Sequence, residues 1–264
     1  MKARERSVLI LILALFVALG TTYSVVVPPF EASDELWHYP MVKYIADHWS
    51  LPVQEPGVET DWRQEGSQPP LYYVLMAGAT FWIDTSDMEA VRHLNRHADK
   101  GVATPDGNVN LVVHHPEREV FPWRGTVLAI HLIRFLSILM GVAAVYLTYL
   151  IGRQVFPEHP ALALGAAAVH AFTPMYVFIS ASVNNDNLVV PLSSLALLML
   201  TRMSESASQR IGESASRRIG GLEDRQGSKW QTPLVRYLLL GVVLGLAALT
   251  KTSSLALTVL TALV

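Results

Sequence analysis

Apolar residues fall in long, nearly unbroken runs along this chain. A membrane-spanning helix needs about 20 mainly apolar residues, and several runs approach that length. The first, Val8 to Val27, follows the basic residues Lys2, Arg4 and Arg6. A basic start before an apolar stretch also fits a cleaved signal peptide. The run is long for that and lacks an A-x-A site, so it reads as a retained signal anchor with a cytoplasmic N-terminus. Further runs cover Val127 to Ile151, Ala161 to Ser180, and Leu188 to Leu200, the last reaching back toward Val183. Leu234 to Leu249 is apolar again, and Thr252 to Val264 is a final run without a polar flank. The pattern predicts an all-α polytopic membrane protein, with five spans and part of a sixth, forming the N-terminal portion of a longer chain.

Two polar stretches interrupt these runs. Residues 28–125 hold 15 acidic against 7 basic side chains, a net of −8, and six of the nine histidines. Within them Leu71 to Ile83 is apolar but too short to span comfortably. It reads as a membrane-surface or re-entrant helix; if it spanned, the topology beyond it would invert. Residues 201–236 contain a tandem octad, Glu205–Gly212 followed by Glu213–Gly220, differing at one position. Two copies cannot make a solenoid. The stretch reads as a solvated, partly disordered cytoplasmic linker whose arginines can touch anionic lipid.

Basic residues test the order of the spans. Segments 1–7, 152–160 and 201–236 carry three, one and seven Lys or Arg, while the short turn near Ser182 carries none. Cytoplasmic loops are the ones enriched in Lys and Arg. The expected organisation is a cytoplasmic N-terminus with the first span (1–27), an extracytoplasmic loop with juxtamembrane helices (28–126), and three spans (127–200). A cytoplasmic linker (201–233) and the fifth and truncated sixth spans (234–264) follow. The expected location is the cytoplasmic membrane.

Composition agrees: 51% of residues are apolar and 16% charged, where soluble domains sit near a quarter charged. A net charge of −2 argues against nucleic acid held by bulk positive charge. The absence of cysteine excludes a disulfide scaffold, thiolate metal sites and cysteine nucleophiles. No Walker loop, G-x-S-x-G, H-E-x-x-H or dinucleotide fingerprint is present.

Charge in or beside a span costs about 2.5–3.5 kcal/mol on insertion scales, so its position is informative. Four polar clusters reach the same side: Pro28 to His38, the pair His131 and Arg134, Asn184 to Asn187, and Lys251. Together they predict a polar cavity open to the exterior. In the first, Ser33 is a natural N-cap and the acids suit a first helical turn. Glu31, Asp34, Glu35 and His38 are also spaced to share a helix face. Such carboxylates can serve as a general base, or Glu31, Asp34 and His38 as a metal site. Gln68-Pro-Pro-Leu-Tyr72-Tyr73 reads as the start of a surface helix. His114-His115 reads as surface histidines. Arg124 and Arg134 each offer a donor fork suited to phosphate, while the alternative for Arg134 and Lys251 is to snorkel or to pair with Asp186. His170 and Pro174 lie mid-span and predict packing and a kink.

The ordered set resembles a known group. An acidic Asp34-Glu35 pair opens the first outer loop, Pro69-Pro70-Leu71-Tyr72 follows, and Arg134 lies near the outer end of the next span. An Asn184-Asn185-Asp186 turn and a Leu249-Thr250-Lys251-Thr252 break complete it. This is similar to membrane glycosyltransferases of the GT-C fold, which include the protein O-mannosyltransferases and lipid A aminoarabinose transferases. The opening Pro29-Phe30-Glu31-Ala32-Ser33-Asp34-Glu35 is closer to their bacterial relatives. The resemblance implies a GT-C-like helical bundle and a polyprenyl-phosphate-linked sugar as donor, with transfer by inversion to a glycan, lipid or protein acceptor. It implies Asp34 as the catalytic base that deprotonates or orients the acceptor, and Glu35 as its catalytic neighbour, positioning the site or assisting a metal. Arg134, then Lys251, would meet the phosphate, with Gln68, Tyr72, Arg124, Asn185 and Asp186 lining the substrates. Gln68 stands where relatives often have Lys or His. Some relatives use a divalent metal (magnesium or manganese) and others do not. Two other classes fit a polytopic chain with a polar cavity. A transporter would place its charges near the midplane and carry internal repeats, and a scaffold would need no site.

Overall fold

The computed structural model describes residues 3–32, 34–98, 109–219 and 233–263. The chain is helical, with one isolated antiparallel bridge, Leu94 to Val112, and no strand among the described residues. Three helices are long and apolar enough to cross a membrane. They are α1 (Ala3–Val26), α4 (Gly125–Val155) and the first part, Asp186–Ser206, of α7 (Asp186–Ile219). Between α4 and α7, α5 (Pro160–Phe172) and α6 (Pro174–Ser180) form an apolar pair bent by 63°, the shape of a broken span or a re-entrant loop. Pro174 explains the break. It has no N–H to donate to the preceding turn, and it drives Thr173 to an extended conformation. The kink predicted at this proline is present, and it divides the expected third span in two.

Two shorter helices lie in the loop between α1 and α4: α2 (Glu35–His48) and α3 (Leu71–Thr80). At 10 residues, α3 is far too short to span. α8 (Pro233–Ala248) and α9 (Ala256–Leu263) are separated by a break that contains Lys251. α7 continues as far as Ile219. The octads, expected as an irregular linker, are therefore helical up to that residue, and 220–232 lie outside the described residues. The octads carry few helix breakers: the first holds only Gly212, and Glu, Ser, Ala, Gln, Arg and Ile fill the rest.

Small residues set how closely the spans approach. Ala163, Ala167 and Ala171 on α5 are fully buried and pack with Leu9, Ile12, Phe16, Ile138 and Val145 from α1 and α4. A Cβ at Gly152 would lie 2.8 Å from the Ala163 backbone, and one at Gly141 would lie 2.8 Å from the Phe16 ring. Only glycine permits these approaches, as is usual where helices pack in lipid. The outward faces carry Ile10, Leu11, Leu15, Leu139, Val169 and Leu238 exposed. A belt of that kind suits contact with acyl chains and would be costly in water.

A second core caps one end of this bundle. Leu36, Tyr39, Met41, Val42 and Ile45 of α2, with Tyr72, Tyr73, Met76 and Ala77 of α3, pack on Val127, Ile130 and Ile133 at the start of α4. This is the loop end of the molecule, formed with the described residues between α1 and α4.

Candidate functional site

The loop end is organised around one buried ion pair. The Arg134 guanidinium and the Glu35 carboxylate are both wholly inaccessible and meet at 2.6 and 2.9 Å. Arg134 also donates to the carbonyls of Ser24, Val27 and Pro28. Glu35 also accepts from the backbone amides of Phe30 and Val183. The arginine thereby gathers the end of α1, and the carboxylate gathers the first turn of α2 and the turn before α7. Every nitrogen of the Arg134 fork is engaged within the protein, and none faces outward. This corrects the expectation that Arg134 meets phosphate. Its partner is Glu35, and Asp186 pairs with Lys251.

Asp34 immediately precedes α2. Its backbone is left-handed (φ 54°), and its exposed side chain makes no capping hydrogen bond. Asp tolerates this region better than most residues, and Glu35, locked in its ion pair, holds the next position. Ser33, expected as the N-cap, lies outside the described residues. The helix itself begins at Glu35, after the non-helical stretch that opens at Pro28, so Glu31 does not share a helix face with Asp34 and His38. The Glu31 carboxylate instead accepts from the amides of Leu111 and Val112 and meets His114 Nε2 at 2.9 Å. His114 Nδ1 meets Glu119 at 2.9 Å. His38 is bound elsewhere, as described below. The proposed metal set of Glu31, Asp34 and His38 is therefore not assembled, and no group of three or more metal-ligating side chains converges among the described residues.

His38 follows Asp34 by one turn and is buried. Its Nδ1 lies 2.7 Å from the Tyr73 hydroxyl and 3.4 Å from Glu65. Tyr73 donates to Glu65 at 3.2 Å. Burial, helped by the nearby Lys251 ammonium, pushes His38 down to about 3. Burial also raises Glu65, with the Asp34 charge adding to it against the opposing Tyr73 hydrogen bond and the Lys251 charge. Burial and Glu65 raise Tyr73 well above the usual phenol. Asp34 and Lys251 thus face one small cluster from opposite signs of charge.

Lys251 reaches this cluster from the break between α8 and α9. Its ammonium pairs with Asp186 at 2.6 Å, both side chains about a third exposed. Two backbone ties hold the break in place. Leu71 donates to the Leu249 carbonyl at 2.9 Å, and the buried Asn185 side chain donates to the Thr250 carbonyl at 3.4 Å. Asn185 is thus a brace. Tyr72, expected to line substrate, is wholly buried. Its hydroxyl meets Ser137 and accepts from the Asn184 amide. Neighbouring helix positions point about 100° apart, so adjacent Tyr72 and Tyr73 serve different partners. Gln68 is half-buried, and its backbone amide closes the short 3₁₀ turn Arg63–Ser67. Arg124 is exposed just before α4. Glu65 and Tyr73 were missed as a pair. Glu65 lies in an irregular stretch without periodicity, and Tyr73 reads as one more aromatic beside a membrane.

Two more side chains hold the mouth. Arg92, buried, donates to the Leu36 carbonyl and to the Asp61 side chain and carbonyl. The Arg63 guanidinium lies 3.9 Å over the Trp37 ring. His131, grouped with Arg134 in sequence, stacks on Trp123 at 3.7 Å.

Residues 128–212 match the model of the dolichyl-phosphate-mannose-protein mannosyltransferase family. That segment runs from α4 into α7 and carries Arg134 and the Asn184–Asn187 turn. The match supports a membrane glycosyltransferase of the GT-C kind, as the motifs imply. Comparison with curated proteins and with solved structures gives no match.

Proposed function

We propose that this chain builds the reaction centre of a membrane glycosyltransferase that takes its sugar from a polyprenyl-phosphate donor. The carrying observation is that, at one end of an apolar bundle, an exposed carboxylate and a cation both act on one buried carboxyl, Glu65. Asp34, at the start of α2, makes no side-chain hydrogen bond among the described residues, and Lys251 is about a third exposed at a helix break, both acting on the His38–Glu65 cluster. In this reading Asp34 accepts the proton of the attacking hydroxyl or amine. The acceptor's bond to the anomeric carbon forms as the carbon–oxygen bond to phosphate breaks, with inversion. Lys251 stabilises the charge that collects on the departing phosphate. Its hold on Asp186 keeps the ammonium aimed while leaving donors free. Glu35 and Arg134 are positioning residues: they fix the backbone of Asp34 and touch no substrate. The residues Glu31, Asp34 and His38 do not fit a shared metal, and no step here uses one. The acyl-facing belt suits a donor whose lipid tail stays in the bilayer, and the loop end lies on the extracytoplasmic side.

The test uses the full chain in nanodiscs with radiolabelled polyprenyl-phosphate sugars. Asp34→Asn should abolish release of label to acceptor or water while melting and insertion stay unchanged, because the side chain makes no hydrogen bond among the described residues. Transfer retained in the purified variant would remove Asp34 from the reaction.

A further inference from the structure

One feature of the site goes beyond a single base, and it rests on the transferase reading above. A lone surface carboxylate that accepts a proton must lose it again before the next turnover. Behind Asp34 stands a chain of three buried groups, His38, Tyr73 and Glu65, that a single-base reaction leaves unused.

The hydrogen-bond directions define that chain. Tyr73 has one proton, and it is directed at Glu65. The tyrosine oxygen must then accept from His38 Nδ1, 2.7 Å away. A neutral His38 with its proton on Nδ1 has a bare lone pair on Nε2. Among the described residues that nitrogen has no hydrogen-bond partner. Asp34 precedes His38 by one turn, with the His38 amide bonded to the Asp34 carbonyl at 2.9 Å, and the Asp34 charge reaches Glu65 at the far end of the chain.

We propose that His38, Tyr73 and Glu65 form a proton relay behind Asp34 that carries the acceptor's proton out of the reaction centre and holds it on Glu65. The proton leaves the acceptor for Asp34 as the new glycosidic bond forms and the phosphate departs with its electron pair. It passes from Asp34 to His38 Nε2. The Nδ1 proton moves to the Tyr73 oxygen, and the Tyr73 proton moves to the Glu65 carboxylate. His38 begins and ends neutral and changes only its tautomer. The ends of the relay are matched to this direction: burial disfavours a charged imidazole and favours a protonated Glu65. The charges facing the three groups are Asp34 from the start of α2, Asp186 from α7 and Lys251 from the break after α8. Product release lets the proton return to water.

Two measurements test it on the full chain in nanodiscs. The first is the pH profile of transfer for Tyr73→Phe and Glu65→Gln. Both should lower kcat about 100-fold at neutral pH with both KM values near wild type, and both should recover as pH rises and hydroxide replaces the relay. Glu65→Gln keeps the side-chain shape, so it reports even if Tyr73→Phe fails to fold. A kcat equal to wild type in either folded variant, or a loss that no pH restores, would overturn the relay. The second is nitrogen NMR of labelled histidine at neutral pH, which needs no turnover. A neutral His38 protonated on Nδ1 is expected, and an imidazolium or an Nε2-protonated ring overturns the proposal. Absence of transfer by wild type would sink the transferase reading, and the His38 tautomer would still decide the relay.

Discussion

Removing one partner of the Glu35–Arg134 pair gives the sharpest test of how the loop end is held. Glu35→Gln keeps the volume but deletes the charge. Four contacts converge on that carboxylate, at 2.6, 2.9, 2.9 and 3.0 Å, two from the arginine and two from backbone amides. An amide has one acceptor oxygen, and its NH₂ group would be turned against a donor. Arg134 would then stay wholly buried with its charge uncompensated. Breaking a buried pair in this way costs about 3–5 kcal/mol. That is a large part of a total stability of roughly 5–15 kcal/mol, and for a chain of this size it is a fall of roughly 6–20 °C in melting temperature. Replacing both partners tells the pair from a general loss of packing. The double variant Glu35→Gln with Arg134→Met leaves no stranded charge and should recover part of the loss, giving a coupling energy well above the few tenths expected of independent sites. The assay is thermal unfolding of the purified protein in nanodiscs for wild type, both single variants and the double. Additive losses, or a Glu35→Gln variant that melts with wild type, would refute the view that the pair is the keystone of this end. Donor affinity measured on the same proteins should track stability and nothing more, because the arginine fork does not reach the site.

Lys251→Ala should weaken donor binding about tenfold or more, the scale of a charge-assisted hydrogen bond of roughly 1.5–3 kcal/mol, while Lys251→Arg keeps most of it. Equal donor affinities by direct binding would remove Lys251 from the phosphate. Acid stability should depend on His38. Its value falls from the ordinary imidazole range to about 3 in the folded chain, so the unfolded chain binds the extra proton first as pH drops. Stability is intact above about 6.5 and declines below it, with a limiting slope of about 1.4 kcal/mol per pH unit. Denaturation measured from pH 7 to 4 should show this slope reduced in His38→Gln, and an unchanged slope would refute it. Gly152→Val should cost about 1–3 kcal/mol by overpacking, since even a Cβ meets the Ala163 backbone at 2.8 Å. A melting temperature unchanged from wild type would show that α4 and α5 part freely.

Sequence alone determined the class of this protein. Runs of apolar residues at bilayer length leave few alternatives, because a backbone in lipid must satisfy its own hydrogen bonds. The break at Pro174 was equally legible, since proline removes a donor at a fixed place. So was the gathering of four polar clusters at one end, because charge avoids the membrane interior. Roles within that gathering were decided only in three dimensions. Arg134 and Lys251 are alike as cations near span ends, but one is wrapped by Glu35 and three carbonyls and the other is about a third exposed beside Asp186. Spacing suggested that Glu31, Asp34 and His38 share a face. The non-helical stretch after Pro28 breaks that periodicity and sends Glu31 to the amides of Leu111 and Val112. His38, Glu65 and Tyr73 come from α2, an irregular turn and α3, and local propensity says nothing of such a meeting. It exists because the apolar faces of α2 and α3 pack on the start of α4, burying those faces against the bundle and bringing distant polar groups within hydrogen-bond reach.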